Sequence, residues 1–255
     1  MGRVARRMGI TRGSVDGRSR VLGLQFPHGE AKPISADSDA AVYGVTTFPS
    51  RVVAPDDNVL KTGDNQRKLG KVVTKGKWKG FPIYSLKLEE RATCPRSCRM
   101  WLSCYGNHMG HAKRYAHGPA LETQIWRELA ELQVRHPRGF VVRLHILGDF
   151  YSVSYVDLWQ AALDHFPALH VFGYTARNGD PIGKAVEALR DARWDRFAVR
   201  TSGAHTGPRT TVVQRPERNP AHIICPAQFP AKDGRRCSNC ALCWQTKKPI
   251  AFLSH

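Results

Sequence analysis

Seven cysteines fall into two groups, and this grouping is the feature of the sequence with the most definite chemistry. The first group reads CPRSCRMWLSCY, with the spacing Cys94-x3-Cys98-x5-Cys104. In the second group Cys225 precedes the run Cys237-x2-Cys240-x2-Cys243. Grouped thiolates are what metal ligation requires, whereas an odd number of cysteines suits a disulfide framework poorly. The spacing therefore predicts two metal centres.

The two groups differ in how many ligands they supply. Three thiolates can hold a [4Fe–4S] cluster with one iron left open, where S-adenosylmethionine can chelate and be cleaved to a radical. Four thiolates leave no open position, so the second group predicts a closed auxiliary centre, either a second iron–sulfur cluster or zinc. Zinc is the alternative at both groups, and His108 or His111 would then complete the first.

The elements that must position these groups form an alternation of strands and helices. Strands are predicted at 81–88, 140–147, 169–175, 196–203 and 222–225. Helices are predicted at 120–135, 154–166 and 181–193, with Ser154 as the cap of the second. This order indicates right-handed βαβ units. We predict an α/β fold with a partial (β/α) barrel-like parallel sheet, a basic N-terminal region and a cysteine-rich C-terminal metal lobe.

Polar residues follow three consecutive predicted strands. Ligands of parallel sheets bind at the carboxyl ends of the strands. The candidate residues for a cofactor and substrate pocket are Gly148, Asp149, Thr175, Arg200 and Ser202. Asp149 is the candidate catalytic residue, and the alternative role for it is to cap the turn that follows. His145 lies within an apolar run and is predicted to be a satisfied core histidine.

The chain is strongly basic, with a net charge of +18 and a pI of about 10.0. Lys and Arg release counterions when they neutralise phosphates, so nucleic acid is the expected partner, DNA rather than RNA. The candidate contacts are Arg3, Arg6, Arg7, Lys71, Lys75, Lys77, Trp78 and Lys79, with the Trp78 ring stacking on a base. The alternatives are that the charge serves solubility and that Lys61–Lys79 is a solvated hairpin with one packed Trp.

The charge pattern also divides the chain. We predict that residues 1–60 form a basic, partly flexible N-terminal region and that residues 61–255 form the α/β core, with the metal lobe at about 222–255. No apolar run is long enough to span a bilayer, and no apolar stretch follows the N-terminal arginines as in a secretory signal. We expect a cytoplasmic protein that does not bind a membrane.

Several motifs together resemble the phage family known as gene product eighty-eight. They are DNQRKLGK, FPIYSLKL, CPRSCRMWLSCYG, HILGDFYS, VFGYTAR and CSNCALCW, spread over roughly residues 60–245. The resemblance implies a phage context, and therefore the host cytoplasm as the place of action, but it implies no activity.

A second resemblance concerns chemistry. The cysteine triad ending in Cys-Tyr, followed by an α/β pattern with Gly148 and Asp149 at a strand end, is similar to radical S-adenosylmethionine enzymes. In those enzymes a motif at the end of the second strand contacts the methionine amino group, which implies this role for Gly148 and Asp149. The sequence departs from their common C-x3-C-x2-C spacing, because its second gap is five residues.

Together these patterns predict an iron–sulfur, radical S-adenosylmethionine-like enzyme that acts on nucleic acid by modifying a nucleobase. One alternative is a zinc-stabilised nucleic-acid-binding protein without catalysis. The other is a zinc-containing barrel nucleobase transglycosylase, in which Asp149 would attack the sugar carbon.

Overall fold

The structure, a computed structural model, describes residues 33–56, 58–66, 68–213, 223–228 and 235–253. Its strands are β1 (Val52–Val53), β2 (Lys61–Thr62), β3 (Ile83–Lys87), β4 (Arg114–Tyr115), β5 (Phe140–Leu147), β6 (Leu169–Thr175), β7 (Phe197–Ser202), β8 (Arg209–Val213), β9 (Ile223–Ile224) and β10 (Ile250–Leu253). Its α-helices are α1 (Pro119–Arg135), α2 (Val153–His165), α3 (Pro181–Ala192), α4 (Cys237–Cys240) and α5 (Leu242–Gln245). In the described residues, no helix is long and apolar enough to cross a bilayer.

The central sheet has eight strands in the order β2-β3-β5-β6-β7-β8-β10-β9. Only the β2–β3 pair is antiparallel, and the other six pairs are parallel. From β3 to β8 each strand of this sheet lies beside the one that precedes it along the chain. The prediction of an α/β fold with a parallel sheet is therefore confirmed. β1 and β4 form a separate two-stranded parallel ladder.

Three helices cover one face of the sheet. Leu121, Ile125, Leu129 and Leu132 of α1 are buried at the predicted helical spacing, against strand residues such as Val142. The cap of α2 is Ser152, whose hydroxyl accepts from the Tyr155 N–H at 3.0 Å, and not Ser154 as predicted. Asp180 caps α3, and Pro181 occupies its first turn.

The C-terminal segment and residues around 69–81 cover the opposite face. Val141, Phe172 and Ala198 of the central strands pack there against Trp78 and Trp244. The predicted strand at 222–225 is present as β9, but β8 and β10 were not predicted. Only six residues separate β7 from β8, whereas parallel neighbours usually need a crossover of about a dozen.

Residues 33–60 contact the core through specific hydrogen bonds. The Ala41 carbonyl accepts from Arg96 Nη1 at 2.7 Å, and the Thr46 hydroxyl donates to Glu90 at 2.6 Å. Farther along, the Glu128 carboxylate accepts from the N–H groups of Val59 and Leu60 at 2.6 and 2.8 Å. The predicted flexibility of the N-terminal region stays a prediction for residues 1–32, which lie outside the described residues.

Candidate functional site

The first cysteine group lies in the loop that leaves β3 at the carboxyl edge of the sheet. Each cysteine sits in a tight turn: Cys94 N–H donates to the Arg91 carbonyl, Cys98 N–H to Pro95, and the Cys104 carbonyl accepts from Asn107. Burial raises the pKa of all three thiols, and their charges act on one another. The three predicted ligands therefore lie in successive turns of one loop.

Gly148 and Asp149 follow the neighbouring strand β5 and hold this loop. Gly148 has a φ of +81°, and a Cβ there would lie 2.6 Å from atoms of Leu88 and Thr93. The Asp149 N–H donates to Thr93 Oγ1 at 3.0 Å, and its carboxylate accepts from the N–H groups of Phe150 and Ala176 at 2.8 and 2.7 Å. These contacts require a glycine at 148 and give Asp149 a positional role.

The charge state of Asp149 follows from its environment. The residue is 3% exposed, and burial raises the pKa of its carboxyl to about 6 against the opposing effect of its hydrogen bonds. Its charge in turn raises the pKa of the Cys94 thiol. A carboxylate with both oxygens engaged by backbone donors is poorly placed to attack a sugar carbon, so this geometry speaks against the transglycosylase alternative.

The end of β6 completes the same edge. The Thr175 side chain hydrogen-bonds to Asp149 and accepts from the Arg177 N–H at 3.0 Å. The Arg177 guanidinium donates to the carbonyls of Phe150 at 2.8 Å and Thr93 at 2.9 Å. The structure therefore brings Gly148, Asp149 and Thr175 together beside the first cysteine group.

Arg91 is the residue of this site that the sequence did not reveal. It is 3% exposed and has a φ of +66°, a left-handed conformation that is costly for a residue with a side chain. Its guanidinium donates to the Trp101 carbonyl at 3.1 Å and to Asn107 at 2.6 Å, while Nη1 has no hydrogen-bond partner among the described residues. Its charge lowers the pKa of the Cys98 and Cys104 thiols.

Arg91 is also not neutralised by the neighbouring carboxylate. Glu90 is fully buried and bound by Arg114 at 2.6 Å and by Thr46. Arg91 therefore leaves a positive charge beside the thiols. The only sequence signal for it is an arginine three residues before the first cysteine.

The second cysteine group lies on the covered face of the sheet. Cys237 and Cys240 are on α4 and Cys243 is on α5, with Ala241 at a φ of +60° between the two short helices. Burial raises the pKa of the Cys237 thiol, and the charges of Cys243, Cys225 and Cys240 add to this increase. The Cys237 N–H donates to the Lys68 carbonyl at 2.8 Å, which joins the group to the basic segment.

Three polar side chains of the central strands point toward the second group. Tyr174 places its hydroxyl 2.8 Å from the Cys243 sulfur, and the Arg143 guanidinium lies 4.4 Å from the Tyr174 ring centre. Arg143 is influenced by the charges of Cys237 and Cys243. In the described part of the chain, no carboxylate forms an ion pair with Arg143 or with Arg200.

The sequence predicted that Arg200 and Ser202 line one pocket with Asp149. The structure places them elsewhere. Arg200 is fully buried, and its guanidinium donates to the carbonyls of Cys243, Lys248 and Thr246, the first two at 2.9 Å. Ser202 is within 3.0 Å of the Thr210 hydroxyl on the next strand. Arg200 points to the opposite face from Val199 because side chains alternate along a strand. It fastens the C-terminal segment to the sheet.

The predicted base-stacking role of Trp78 is wrong. The ring is 3% exposed, stacks on Trp244 with centres 5.0 Å apart, and donates to the Asp195 carbonyl at 3.3 Å. The alternative of a packed Trp in a basic hairpin describes it better. The lysines around it, Lys71, Lys75, Lys77 and Lys79, are exposed, whereas Arg3, Arg6 and Arg7 lie outside the described residues.

His145 only partly fulfils the prediction of a satisfied core histidine. It is 4% exposed, and its Nε2 lies 3.1 Å from the Tyr155 hydroxyl. Nδ1 has no partner among the described residues, and burial lowers the pKa of the ring to about 3.

The metal predictions stay predictions. All seven cysteines are free thiols, but no group of three or more Cys, His, Asp or Glu in the described ranges has the arrangement of a formed metal site. The donor types fit a thiolate-bound centre, since each group supplies sulfur ligands on which guanidinium charges act. His108 and His111 are exposed. No family model, curated protein or solved structure matched the chain, so both family resemblances also stay predictions.

Proposed function

We propose that this protein is an iron–sulfur enzyme of the radical S-adenosylmethionine type that modifies a base in nucleic acid. The observation that carries the proposal is the place of the cysteine loop at the carboxyl edge of the sheet, where the Asp149 N–H donates at 3.0 Å to the hydroxyl of Thr93, the residue before Cys94. A loop of turns, rather than a rigid helix, presents the thiols of Cys94, Cys98 and Cys104, so modest rearrangement would draw them onto a cluster. The bound cluster and S-adenosylmethionine would supply the radical chemistry.

Charge balance supports a metal at the first group. An oxidised [4Fe–4S] cluster with three thiolates has a net charge of roughly −1. Arg91 is buried beside the thiols with one guanidinium nitrogen unpartnered among the described residues. A buried charge is costly without a counter-charge, and thiolates held by a metal would provide it.

The second group supports the proposal in the same way. Four thiolates on a 2+ cluster, or on zinc, have a net charge of roughly −2. Arg143 and Arg200 lie beside Cys243 and have no carboxylate partner in the described ranges. We therefore assign a closed auxiliary centre to Cys225, Cys237, Cys240 and Cys243, within a C-terminal metal lobe.

The strand order supports a barrel-like core. Consecutive parallel strands that lie side by side in chain order are how a partial (β/α) barrel is built, and the first cysteine group follows the first of them. In this arrangement Gly148 and Asp149 end the second strand. Their backbone groups and Thr175 would border S-adenosylmethionine, while Asp149 holds the cysteine loop to the sheet.

Nucleic acid is the substrate class that the charge favours. A net charge of +18 attracts phosphates, and the exposed lysines of the 71–79 segment add to this long-range attraction. DNA is the first polymer to test for binding. Binding to anionic proteins in place of nucleic acid would change the substrate class of the proposal.

Metal content tests the proposal directly. Protein purified without oxygen should be brown and contain iron and acid-labile sulfide at both groups, and it should bind S-adenosylmethionine. Replacing Cys94, Cys98 and Cys104 with Ala should remove about half of the iron, with loss of S-adenosylmethionine cleavage but not of the fold. Colourless protein with stoichiometric zinc would instead establish the zinc-stabilised nucleic-acid-binding alternative.

A further inference from the structure

Two basic surfaces lie at opposite ends of the parallel strands. Lys71 to Lys79 are near the amino end of β3, where the Ile83 N–H donates to the Lys71 carbonyl at 2.8 Å. Arg96 and Arg99 belong to the first cysteine loop, at the carboxyl end of the same strand. A substrate that reacts beside Cys94, Cys98 and Cys104 must approach the second surface.

Arg96 and Arg99 are placed to receive an anion there. The Arg96 guanidinium lies 4.9 Å from the Trp101 ring centre and donates to the Ala41 carbonyl, which fixes its position while the residue stays exposed. Arg99 is exposed and extends toward the end of β7, since a Cβ on Gly203 would lie 3.6 Å from its Nε. Neither arginine forms an ion pair within the described residues.

Two exposed tyrosines border the same loop. Tyr105 is 50% exposed and directly follows Cys104. Tyr43 is 72% exposed and lies in the turn Ala40–Gly44, whose Ala41 carbonyl accepts from Arg96 and Trp101. We call Tyr43, Arg96, Arg99 and Tyr105 the cysteine-loop rim. Large exposed aromatics beside unpaired guanidinium groups are typical of surfaces that bind single-stranded nucleic acid.

We infer that the cysteine-loop rim binds a single nucleic-acid strand and presents a base to the first cysteine group. The inference rests on the proposed function, because it names where that substrate binds. Arg96 and Arg99 would hold phosphates, for which the planar guanidinium is well suited. A base stacked on Tyr105 would lie one residue from Cys104. The Lys71–Lys79 surface would contribute only long-range attraction.

Oligonucleotide binding tests the inference with matched variants. The probe is a fluorescein-labelled single-stranded DNA of about 20 nucleotides, titrated by anisotropy at several salt concentrations. The double variant Arg96→Gln/Arg99→Gln should weaken binding at least about tenfold and reduce the log–log salt slope by about 1.4, since each phosphate contact on a single strand contributes about 0.7. The control Lys75→Gln/Lys77→Gln loses the same charge at the other surface and should weaken binding less than about threefold.

Tyr105 supplies a second, uncharged measurement. Tyr105→Ala should weaken single-strand binding roughly tenfold, whereas Tyr105→Phe should keep most of the affinity because stacking needs the ring and not the hydroxyl. Wild-type affinity in the rim variants, with unchanged iron content and thermal melting, would overturn the inference and leave the proposed function standing. A wild-type protein that binds neither this probe nor a duplex at low salt would overturn both.

Discussion

The two cysteine groups have similar sulfur chemistry but are held by different forces. Turns and polar contacts hold the first, through Thr93, Arg177 and the buried Arg91, and none of its thiols belongs to an apolar cluster of the described core. In the second group, Cys237 and Cys243 lie on short helices, and they pack together with Cys225, Trp78 and Trp244 against the sheet. The first group therefore lies in a surface loop that hydrogen bonds hold to the sheet, whereas the second group is part of the apolar core.

Because of this difference, we expect one cysteine group to matter mainly for activity and the other mainly for folding stability. A loop fixed by hydrogen bonds at a strand edge can rearrange around a ligand without disturbing apolar packing. A group that covers the face of a sheet cannot lose its ligands without exposing that face to water. Changes at the first group should affect activity, and changes at the second should affect folding.

The largest expected effect comes from removing the second group. The triple variant Cys237→Ala/Cys240→Ala/Cys243→Ala should lose at least about 5 kcal/mol of unfolding free energy, because binding of the proposed metal would be coupled to folding. Urea unfolding followed by tryptophan fluorescence is the measurement, since Trp78 and Trp244 report on this face. The matched control, Ala at Cys94, Cys98 and Cys104, should cost no more than about 2 kcal/mol. Equal losses in the two variants would contradict the comparison.

The long elements of this fold could be predicted from the sequence because their apolar runs are long enough to specify them. Phe140–Leu147 and Leu169–Thr175 were predicted to the residue. β8 and β10 were missed because short strands depend on the partner they pair with more than on their own pattern. The convergence of Gly148, Asp149 and Thr175 followed from parallel strands, whose carboxyl ends share one edge.

The errors concern residues whose partners are distant in the chain. Arg200 was placed in the pocket because it ends a strand, but alternation sends it to the face that residues 243–248 cover. Trp78 lies among lysines, yet its ring packs on Trp244, far along the sequence. Neither partner is visible in a local pattern. Arg91 was missed because its left-handed backbone conformation has no sequence signature in an arginine.

Arg143→Met sharpens the comparison at the second group. The charges of Cys237 and Cys243 act on Arg143. If these two cysteines are metal-bound thiolates, removing the half-buried guanidinium should cost about 2 kcal/mol. In protein stripped with a chelator, the thiols are neutral, so the same substitution should be neutral or stabilising. Paired urea unfolding curves with and without chelator measure the difference. A penalty that persists unchanged after metal removal would mean that Arg143 acts through packing alone.

A substitution at His145 measures how much of the loss of folding stability at low pH comes from this buried histidine of the sheet. Its pKa falls from 6.5 to about 3 on burial, so the unfolded chain binds the extra proton between these values. Stability from this group is therefore complete above pH 6.5 and is lost as the pH falls, by about 2 kcal/mol at pH 5. His145→Gln should be less sensitive than the wild type by that amount between pH 7 and 5. Identical pH profiles would mean that the acid loss comes from titrating groups other than His145.

Arg91 should give the smallest change in folding and the most specific change in chemistry. In protein stripped of metal, Arg91→Gln removes a buried charge that has no carboxylate partner among the described residues, so the free energy of unfolding should change by no more than about 1 kcal/mol. The loss of positive charge beside Cys98 and Cys104 should make the proposed first cluster harder to reduce, shifting its potential by about −60 mV, equivalent to about 1.4 kcal/mol for one electron.

Arg91→Lys keeps the charge and loses the planar hydrogen bonds, so its potential should shift by less than half as much. Redox titration followed by electron paramagnetic resonance measures the potential of the proposed first cluster, and the signal of the proposed second cluster in the same sample is the internal control. A shift of equal size in both variants would mean that Arg91 acts by holding the Trp101 and Asn107 turns. A shift in both clusters would mean that the two groups are not electrostatically separate, which would remove the basis of their comparison.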